Sequence, residues 1–436
     1  MRFLLAVISG KLIHFFGKFI KRATNLPGLL ALKICPYFFK KLKFKGKIIA
    51  VTGSNGKTTT SNMIAHILRS AGYSVANNSE GSNISSGIAT TMLTCCGLGG
   101  HIKTDFLVLE VDERYTPLIF KDVKLDYFVI TNLFRDQVAR NGNPDIVYEK
   151  ISAAVNPKVT LVLNGNDPII TRLSPNNKRV FYGAEKTALS YETSPFLTQD
   201  CKVCPLCMHT LSYEYYHYNH IGRYHCLHCG YETPKLDYAA DNIDFTTGEF
   251  TINGERAGVS YKPLFHFINT TAAVGVCTEA GVPLKDAVAY AKTFHVSAER
   301  YNEMVCCGRK CVLLLTKQNA SSLDMSISYL LEQPEEKKTA LLYVNNVLYT
   351  GYRDISWLYD VTFSRLLNQV DHVICSGNRV YDVGVRLMLD GFEKDSLLLV
   401  DDLTKIKDAV AETEGTIYIL AASSFGDEDG ILEALK

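Results

Sequence analysis

The sequence predicts an α/β protein with three parts: a central phosphate-binding domain, a small zinc ribbon inserted in it, and a Rossmann-like C-terminal parallel α/β domain. Three observations carry this. A β-branched run enters a glycine loop and then a helical stretch across residues 47–70. Two C-x2-C pairs stand at Cys204/Cys207 and Cys226/Cys229. From Cys311 onward, short apolar strands alternate with helical segments. The first pattern is that of a nucleotide-loop unit, the second of a four-thiolate metal site, and the third of a parallel sheet with crossover helices.

Composition narrows the class. The 436 residues are 47% hydrophobic and 21% charged, which suits a chain of two or three packed domains and excludes a disordered polymer. No apolar run reaches membrane-spanning length. Lys+Arg 46 against Asp+Glu 45 argues against a general nucleic-acid binder. The balance hides an asymmetry, because no acidic residue precedes Glu80 while residues 1–79 hold thirteen Lys or Arg. The thirteen Cys include adjacent pairs at Cys95–Cys96 and Cys306–Cys307 and fit a reducing, cytoplasmic compartment better than a disulfide scaffold.

Residues 1–46 form a basic N-terminal segment. Leu12, Ile13, Phe16 and Phe19 return at helical spacing among Lys11, Lys18, Lys21 and Arg22, which predicts an amphipathic helix. Two readings stand side by side: a helix packed on its own domain, or one that meets an anionic membrane surface.

Residues 47–60 read Lys-Ile-Ile-Ala-Val-Thr-Gly-Ser-Asn-Gly-Lys-Thr-Thr-Thr, a strand, a loop and the start of a helix predicted over Thr60–Ser70. Backbone N–H groups of such a loop point at phosphate oxygens. Lys57 is expected to reach the β/γ-phosphates and the Thr58 hydroxyl to face Mg²⁺. Val51 stands where the common phosphate loop has its first glycine.

That variant, Thr52-Gly-Ser-Asn-Gly-Lys-Thr-Thr, resembles the ATP loop of the Mur ligase family, which joins amines to carboxylates through an acyl phosphate. Four later segments resemble the same family in the same order. They are Phe106–Glu113, a strand ending in carboxylates; Tyr127–Asp136, with its Thr-Asn loop; Leu161–Pro168, an Asn-x-Asn-Asp-Pro turn; and Arg300 with Glu303. The resemblance implies a Mur ligase-type central domain over residues 47–303, with ATP held by Gly53, Ser54, Asn55, Gly56, Lys57, Thr58 and Thr59. It adds Asn164, Asp167, Asn269 and Arg300 to the nucleotide site and assigns Mg²⁺ to Thr58 and Glu110. Lys57 and Glu110 become catalytic residues.

The two C-x2-C pairs are separated by eighteen residues, a spacing at which two knuckles close a tetrahedral zinc site from Cys204, Cys207, Cys226 and Cys229. Cys201 breaks the knuckle spacing. His209, His217, His220, His225 and His228 lie nearby and are expected not to ligate. A closed four-Cys site is structural. The ribbon spans about residues 200–233.

A ribbon inserted in a Mur ligase central domain resembles the MurT branch of the family. That resemblance implies ATP-dependent amidation of the α-carboxyl of D-glutamate in the lipid II stem peptide, near the inner membrane face. The ammonia would come from a GatD-type glutaminase subunit in a heterodimer.

The C-terminal domain, residues 304–436, is predicted with strands at Val312–Thr316, Ala340–Asn345, His372–Ser376, Ser396–Val400 and Ile417–Ala421, and helices at Ser356–Leu367 and Tyr381–Leu389. The loop from Tyr352 through Asp360 follows one strand end and carries the only Trp. The family resemblance implies that one carboxylate here, Asp354 or alternatively Asp360, completes the partner's Cys–His pair; the residues alone would read either as a helix cap or a surface charge. Ser376–Arg379, Asp382 and Arg386 resemble a further family stretch. Departures fall on the acceptor side: Lys317 is followed by Gln318-Asn319 without Pro, His266 stands where an Asn is usual, and residues 422–425 read Ala-Ser-Ser-Phe. They keep two alternatives open, an amino-acid ligase acting on another cell-wall or polyglutamate-type acceptor, and a non-catalytic ATP-binding subunit. A nucleic-acid-binding ribbon is discounted, since its region has only Lys202, Arg223 and Lys235 as bases.

Overall fold

The computed structural model describes residues 1–17, 24–79, 82–136, 143–297, 300–346, 354–423 and 428–436. Phe19, Lys18, Lys21, Arg22, Tyr352, Ser424 and Phe425 lie outside the described residues.

The chain opens with two helices, α1 (Arg2–Gly17) and α2 (Leu26–Ile34). The central sheet then gathers β1 (Lys47–Thr52), β2 (Val75–Asn77), β3 (Phe106–Glu110), β4 (Tyr127–Ile130), β5 (Thr160–Asn164) and β6 (Arg179–Ala184). Helix α3 (Lys57–Ser70) follows β1, and α4 (Ser85–Cys95) precedes β3. A separate hairpin, β7 (Ser212–Tyr218) and β8 (Ile221–His225), is the ribbon. The sheet resumes with β9 (Tyr238–Asp241), β10 (Glu249–Ile252) and β11 (Glu255–Gly258), and α5 (Leu264–Ala280) covers it. Spatial order is β11-β10-β9-β6-β5-β4-β1-β3-β2, parallel from β9 to β2.

Its parallel strands are buried runs such as Phe106–Glu110, as expected of a sheet with helices on both faces. One face packs on α3 and α5 through Ile64, Ile67, Phe267 and Val274; the other packs on α1, α2 and α4 through Ala6, Ala31, Ile88 and Leu93.

The C-terminal domain has β12 (Tyr301–Cys306), β13 (Arg309–Thr316), β14 (Lys338–Val344), β15 (His372–Ser376), β16 (Leu397–Val400) and β17 (Thr416–Ala422), ordered β12-β13-β17-β14-β15-β16. Only the β12–β13 pair is antiparallel. Helices α6 (Ala320–Leu331) and α7 (Val380–Leu389) pack against it. All five strands expected from the sequence are present with ends within a few residues.

Two expectations are corrected. Ser356–Leu367 is not one helix but two 3-10 turns, Ser356–Asp360 and Phe363–Leu366, broken at Val361-Thr362. Buried Asp324 holds that break by accepting from the Thr362 N–H (2.9 Å) and hydroxyl (3.3 Å). Helix α1 forms, but it is not sorted by polarity. Its inward positions are Ala6, Val7, Gly10 and Gly17, while Leu12 and Phe16 face outward. The small residues face in because α1 lies almost in contact with α4: a Cβ on Gly10 would sit 2.3 Å from Leu93 Cδ1.

Candidate functional site

The carboxyl ends of β1, β3 and β4 in one sheet and of β13 in the other open on a shared cavity of ≈640 Å³. Sites in parallel sheets form at these ends, where loops replace the ladder. Of the phosphate loop 53–56, Asn55 and Gly56 line the cavity, and Gly53 and Ser54 do not. Gly53 and Gly56 take positive φ (129° and 84°), and a Cβ on Gly53 would lie 2.2 Å from Thr131 Oγ1. Only glycine serves there, so the sequence signal and the backbone agree.

The loop is braced from β4. The Asn55 N–H donates to Asn132 Oδ1 (2.9 Å), the Thr131 hydroxyl to Asn55 O (2.6 Å), and the Phe134 N–H to Ser54 Oγ (2.9 Å). Lys57 opens α3 and is buried. It donates to Gly53 O and pairs with Glu113 Oε1 at 2.6 Å. Burial pushes the ammonium's pKa down, but Glu113, Glu110 and the Glu113 hydrogen bond outweigh it and hold the group above its ordinary value. Glu110, at the end of β3, accepts from Asn83 Nδ2 (3.1 Å). Thr58 and Glu110 both line the cavity, as do Asn55, Gly56 and Thr59. Asn269 on α5 and Arg300 line it too, and Arg300 reaches Thr58 Oγ1 at 3.5 Å.

Asn164 and Asp167 do not line this cavity. Asn164 donates to Thr131 O (3.2 Å), while Asp167 accepts from the Leu133 N–H (3.0 Å) and the Ile169 N–H (2.8 Å), and both are buried. They brace the loop that braces the phosphate loop. Glu303 is also elsewhere, ion-paired with Lys310 at 3.4 Å on the edge strand β12.

The C-terminal domain closes the cavity in a way sequence reading missed. Lys317 donates to Ser54 O and pairs with Asp136 at 3.6 Å. Asn319 Nδ2 donates to both Asn55 Oδ1 and Asp136 Oδ1 (each 3.2 Å), and the Ser322 hydroxyl to Asn55 Oδ1 (3.0 Å). Burial and the nearby Lys57 hold the Lys317 amine below its ordinary pKa. The one available signal was Lys317-Gln318-Asn319 at a strand end.

The four ribbon cysteines converge. Cys204 Sγ lies 3.6 Å from Cys229 Sγ, and Cys207 Sγ 3.5 Å from Cys226 Sγ, with all four sulfurs within 4.8 Å of one another. Four thiolates about 2.3 Å from a tetrahedral ion stand about 3.8 Å apart, so the set fits zinc. Met208 (φ 64°) and Gly230 (φ 73°) turn the two knuckles back. The Cys226 thiol is lowered to about 6, first by the backbone N–H of Cys229. Cys201 is outside the set and, being buried, is pushed up to about 12. His217 and His220 are buried in hydrogen bonds to the central domain, whereas His209 and His228 stack at 3.5 Å beside Cys207.

The hairpin's tip, Tyr218-Asn219-His220, reaches the cavity wall and its supports. Tyr218 lines the cavity, His220 Nε2 meets Asp167 Oδ1 at 3.2 Å, and Asn219 donates to Ser321 Oγ of α6 at 2.8 Å. Beside it, Arg135 pairs with Asp200 (2.8 Å) and with Asp360 (3.4 Å). Asp360 is thus engaged inside the chain. Asp354 is exposed, and its Oδ1 accepts from the Ser356 N–H at 2.9 Å. Arg386 is buried and holds the Leu358 and Val361 carbonyls, fixing the same stretch from below.

Residues 51–227 match the family model of the Mur ligase middle domain, and residues 315–424 that of the MurT ligase C-terminal region. The chain is 32% identical over 374 residues to the MurT subunit of lipid II isoglutaminyl synthase from Staphylococcus aureus strain COL, covering 85% of this chain and 83% of that one. It is 27% identical over 434 residues to the same subunit from Streptococcus pneumoniae, covering 96% and 94%. Among solved structures, a pseudomurein peptide ligase type C from Methanothermus fervidus matches with TM-score 0.72 at 20% identity, over 92% of this chain and 81% of that one. MurF from Thermotoga maritima in complex with ADP matches with TM-score 0.63 at 18% identity, over 93% and 83%. Both share the fold.

Proposed function

The chain belongs to the MurT family of Mur ligase-type subunits, and from that membership we propose that it amidates the α-carboxyl of D-glutamate in lipid II, using ATP and ammonia from a GatD-type glutaminase subunit. The observation that carries this reading is the cavity where both sheets end on one phosphate loop, with Lys57, Glu110 and Lys317 around it.

The loop N–H groups and Lys57 bind the triphosphate, and Thr58 and Glu110 hold Mg²⁺. When bound, the ion neutralises the charge on the transferring phosphoryl group. A carboxylate oxygen of the acceptor attacks the γ-phosphorus, giving an acyl phosphate and releasing ADP. Ammonia then attacks the acyl carbon, phosphate leaves with the C–O electron pair, and the nitrogen loses a proton to give the amide. Lys57 and Lys317 stand where negative charge builds up, so the chain contributes positioning and electrostatic stabilisation. Asn269 and Arg300 complete the nucleotide site, while Asn164 and Asp167 support it from behind. The four cysteines hold a structural zinc. Asp354, exposed in the loop after β14, lends its carboxylate to the glutaminase, and Asp360 stays with Arg135. The central unit is taken to end at residue 300 rather than the expected 303, because the whole of β12 (Tyr301–Cys306) pairs with β13 in the C-terminal sheet. A lipid-linked acceptor places the reaction at the cytoplasmic face of the membrane.

The test is reconstitution of the purified chain with a GatD-type glutaminase, glutamine, ATP, Mg²⁺ and lipid II. Glutamine-dependent conversion to the isoglutaminyl product, read by mass spectrometry, is expected. Ligation of an amino acid to a different acceptor, with lipid II unchanged, would overturn the reading.

A further inference from the structure

Helices α1 and α2 are built inside out. Their inner surface is small: a Cβ on Gly28 would sit 1.9 Å from Ser86 O, much as one on Gly10 would meet Leu93. Their outer surface carries the bulk. Leu4, Leu5, Ile8, Leu12, Phe15 and Phe16 of α1 are 41–62% exposed, and Leu26 and Leu29 of α2 are 43% and 44% exposed. Close packing of the hairpin explains the glycines, but packing gives no reason for large apolar groups on the opposite side. A contiguous apolar face of this kind marks an interaction surface rather than scattered exposure.

Charge and length identify what covers it. Residues 1–79 carry thirteen basic and no acidic residues, with Arg2, Lys11 and Lys33 on the two helices themselves. Lys11 donates to Thr94 O of α4 at 3.5 Å and Lys40 pairs with Asp122 at 3.4 Å, while Arg2 and Lys33 are exposed. An apolar face rimmed by cations complements an anionic lipid surface. At 16 residues α1 extends about 24 Å, short of the hydrocarbon thickness, and among the described residues no helix is long and apolar enough to cross a membrane.

We propose that the outer face of α1 and α2 is a lipid-docking surface that lays α1 in the plane of an anionic bilayer, with the outward Leu and Phe side chains in the acyl boundary and the basic residues at the headgroups. This deepens the proposed function, since a chain that modifies a lipid-linked acceptor gains by residing where that acceptor lies.

The experiment is sedimentation of the full-length chain with vesicles of phosphatidylcholine alone or mixed with phosphatidylglycerol, with no lipid II present. The wild type is expected to sediment with the mixed vesicles, less so as salt rises. Leu12→Ser/Phe16→Ser, both exposed and outside the nucleotide site, should reduce partitioning about tenfold or more with ATP binding unchanged. Arg2→Gln/Lys33→Gln should weaken binding to the mixed vesicles alone. A wild-type chain that stays in the supernatant with every vesicle, or serine variants that partition equally, would overturn the proposal. So would light scattering showing a dimer that the serine variants break while lipid binding is absent. Because neither ATP turnover nor lipid II enters the readout, failure here and failure of the amidation assay are separate results.

Discussion

Lys57 is held by Gly53 O and by Glu113, in a buried pair 2.6 Å long at the edge of the cavity. Removing the cation alone leaves Glu113 as a buried, uncompensated charge. Lys57→Met is therefore expected to abolish ATP-dependent turnover and to cost about 3–5 kcal/mol of stability. Adding Glu113→Gln should return most of that stability in denaturant titration while turnover stays absent. If the double variant remained as unstable as the single one, the pair would not be the cause. The two aspartates near the Trp357 turn separate in the same manner. Asp354→Asn is expected to lower glutaminase activity of the complex and leave ATP binding intact. Asp360→Asn loses a half-exposed pair with Arg135 and should shift stability by no more than about 1 kcal/mol. Equal glutaminase losses from both would contradict the assignment to Asp354.

Among the elements, the ribbon hairpin does more than its four cysteines suggest. The four sulfurs sit at one end of β7–β8, and the tip at the other end touches Asp167, Ser321 and the cavity wall. A hairpin this small has little core of its own, so a metal held by the four sulfurs would fix its geometry. Chelating the zinc is expected to raise KM for ATP several-fold. It should also red-shift the emission of Trp357, the only Trp, which shares a small cleft with Asn219, Asp200 and Asp360. An unchanged KM and an unchanged spectrum after verified metal loss would make the ribbon a bystander. The broken helix at 356–366 teaches the companion lesson. Its helical apolar spacing was legible, but the break was not, because it is imposed by Asp324 from a helix far away in sequence.

On the scale of the whole molecule, buried titratable groups pull stability in opposite directions. Burial lowers His217 and His266 to about 4, so the unfolded chain takes up their protons first as pH drops below about 6.5, and stability falls until pH 4. Burial raises Asp324 and Glu332 to about 7. Their cost is full above pH 7, where the folded chain must hold them ionised, and fades toward pH 4. Asp324→Asn is thus expected to be more stable than wild type above pH 7 and to lose that advantage below pH 5. His266→Gln should flatten the acid-side loss. Thermal unfolding as a function of pH measures both, and parallel curves for wild type and variants would refute the assignment.

The local chemistry was legible because it is written in contiguous residues. Gly53 and Gly56 need backbone conformations that only glycine supplies freely, Lys57-Thr58 follow them at once, and the cysteine pairs carry their own tetrahedral spacing. The strand and loop order sufficed to place the phosphate loop at the strand ends that open on the cavity. What the tertiary structure alone decided was which polar groups reach the cavity and which merely hold it up. Asn164 and Asp167 turned inward, and Asn319, Ser322 and the Tyr218–His220 tip turned toward the phosphate loop or its support, each across a long stretch of chain. The same holds for α1, whose apolar spacing predicted a helix but not which side would be covered. That was settled by the glycines, since two helices approach most closely where no side chain stands between them, and the bulky residues are left facing out.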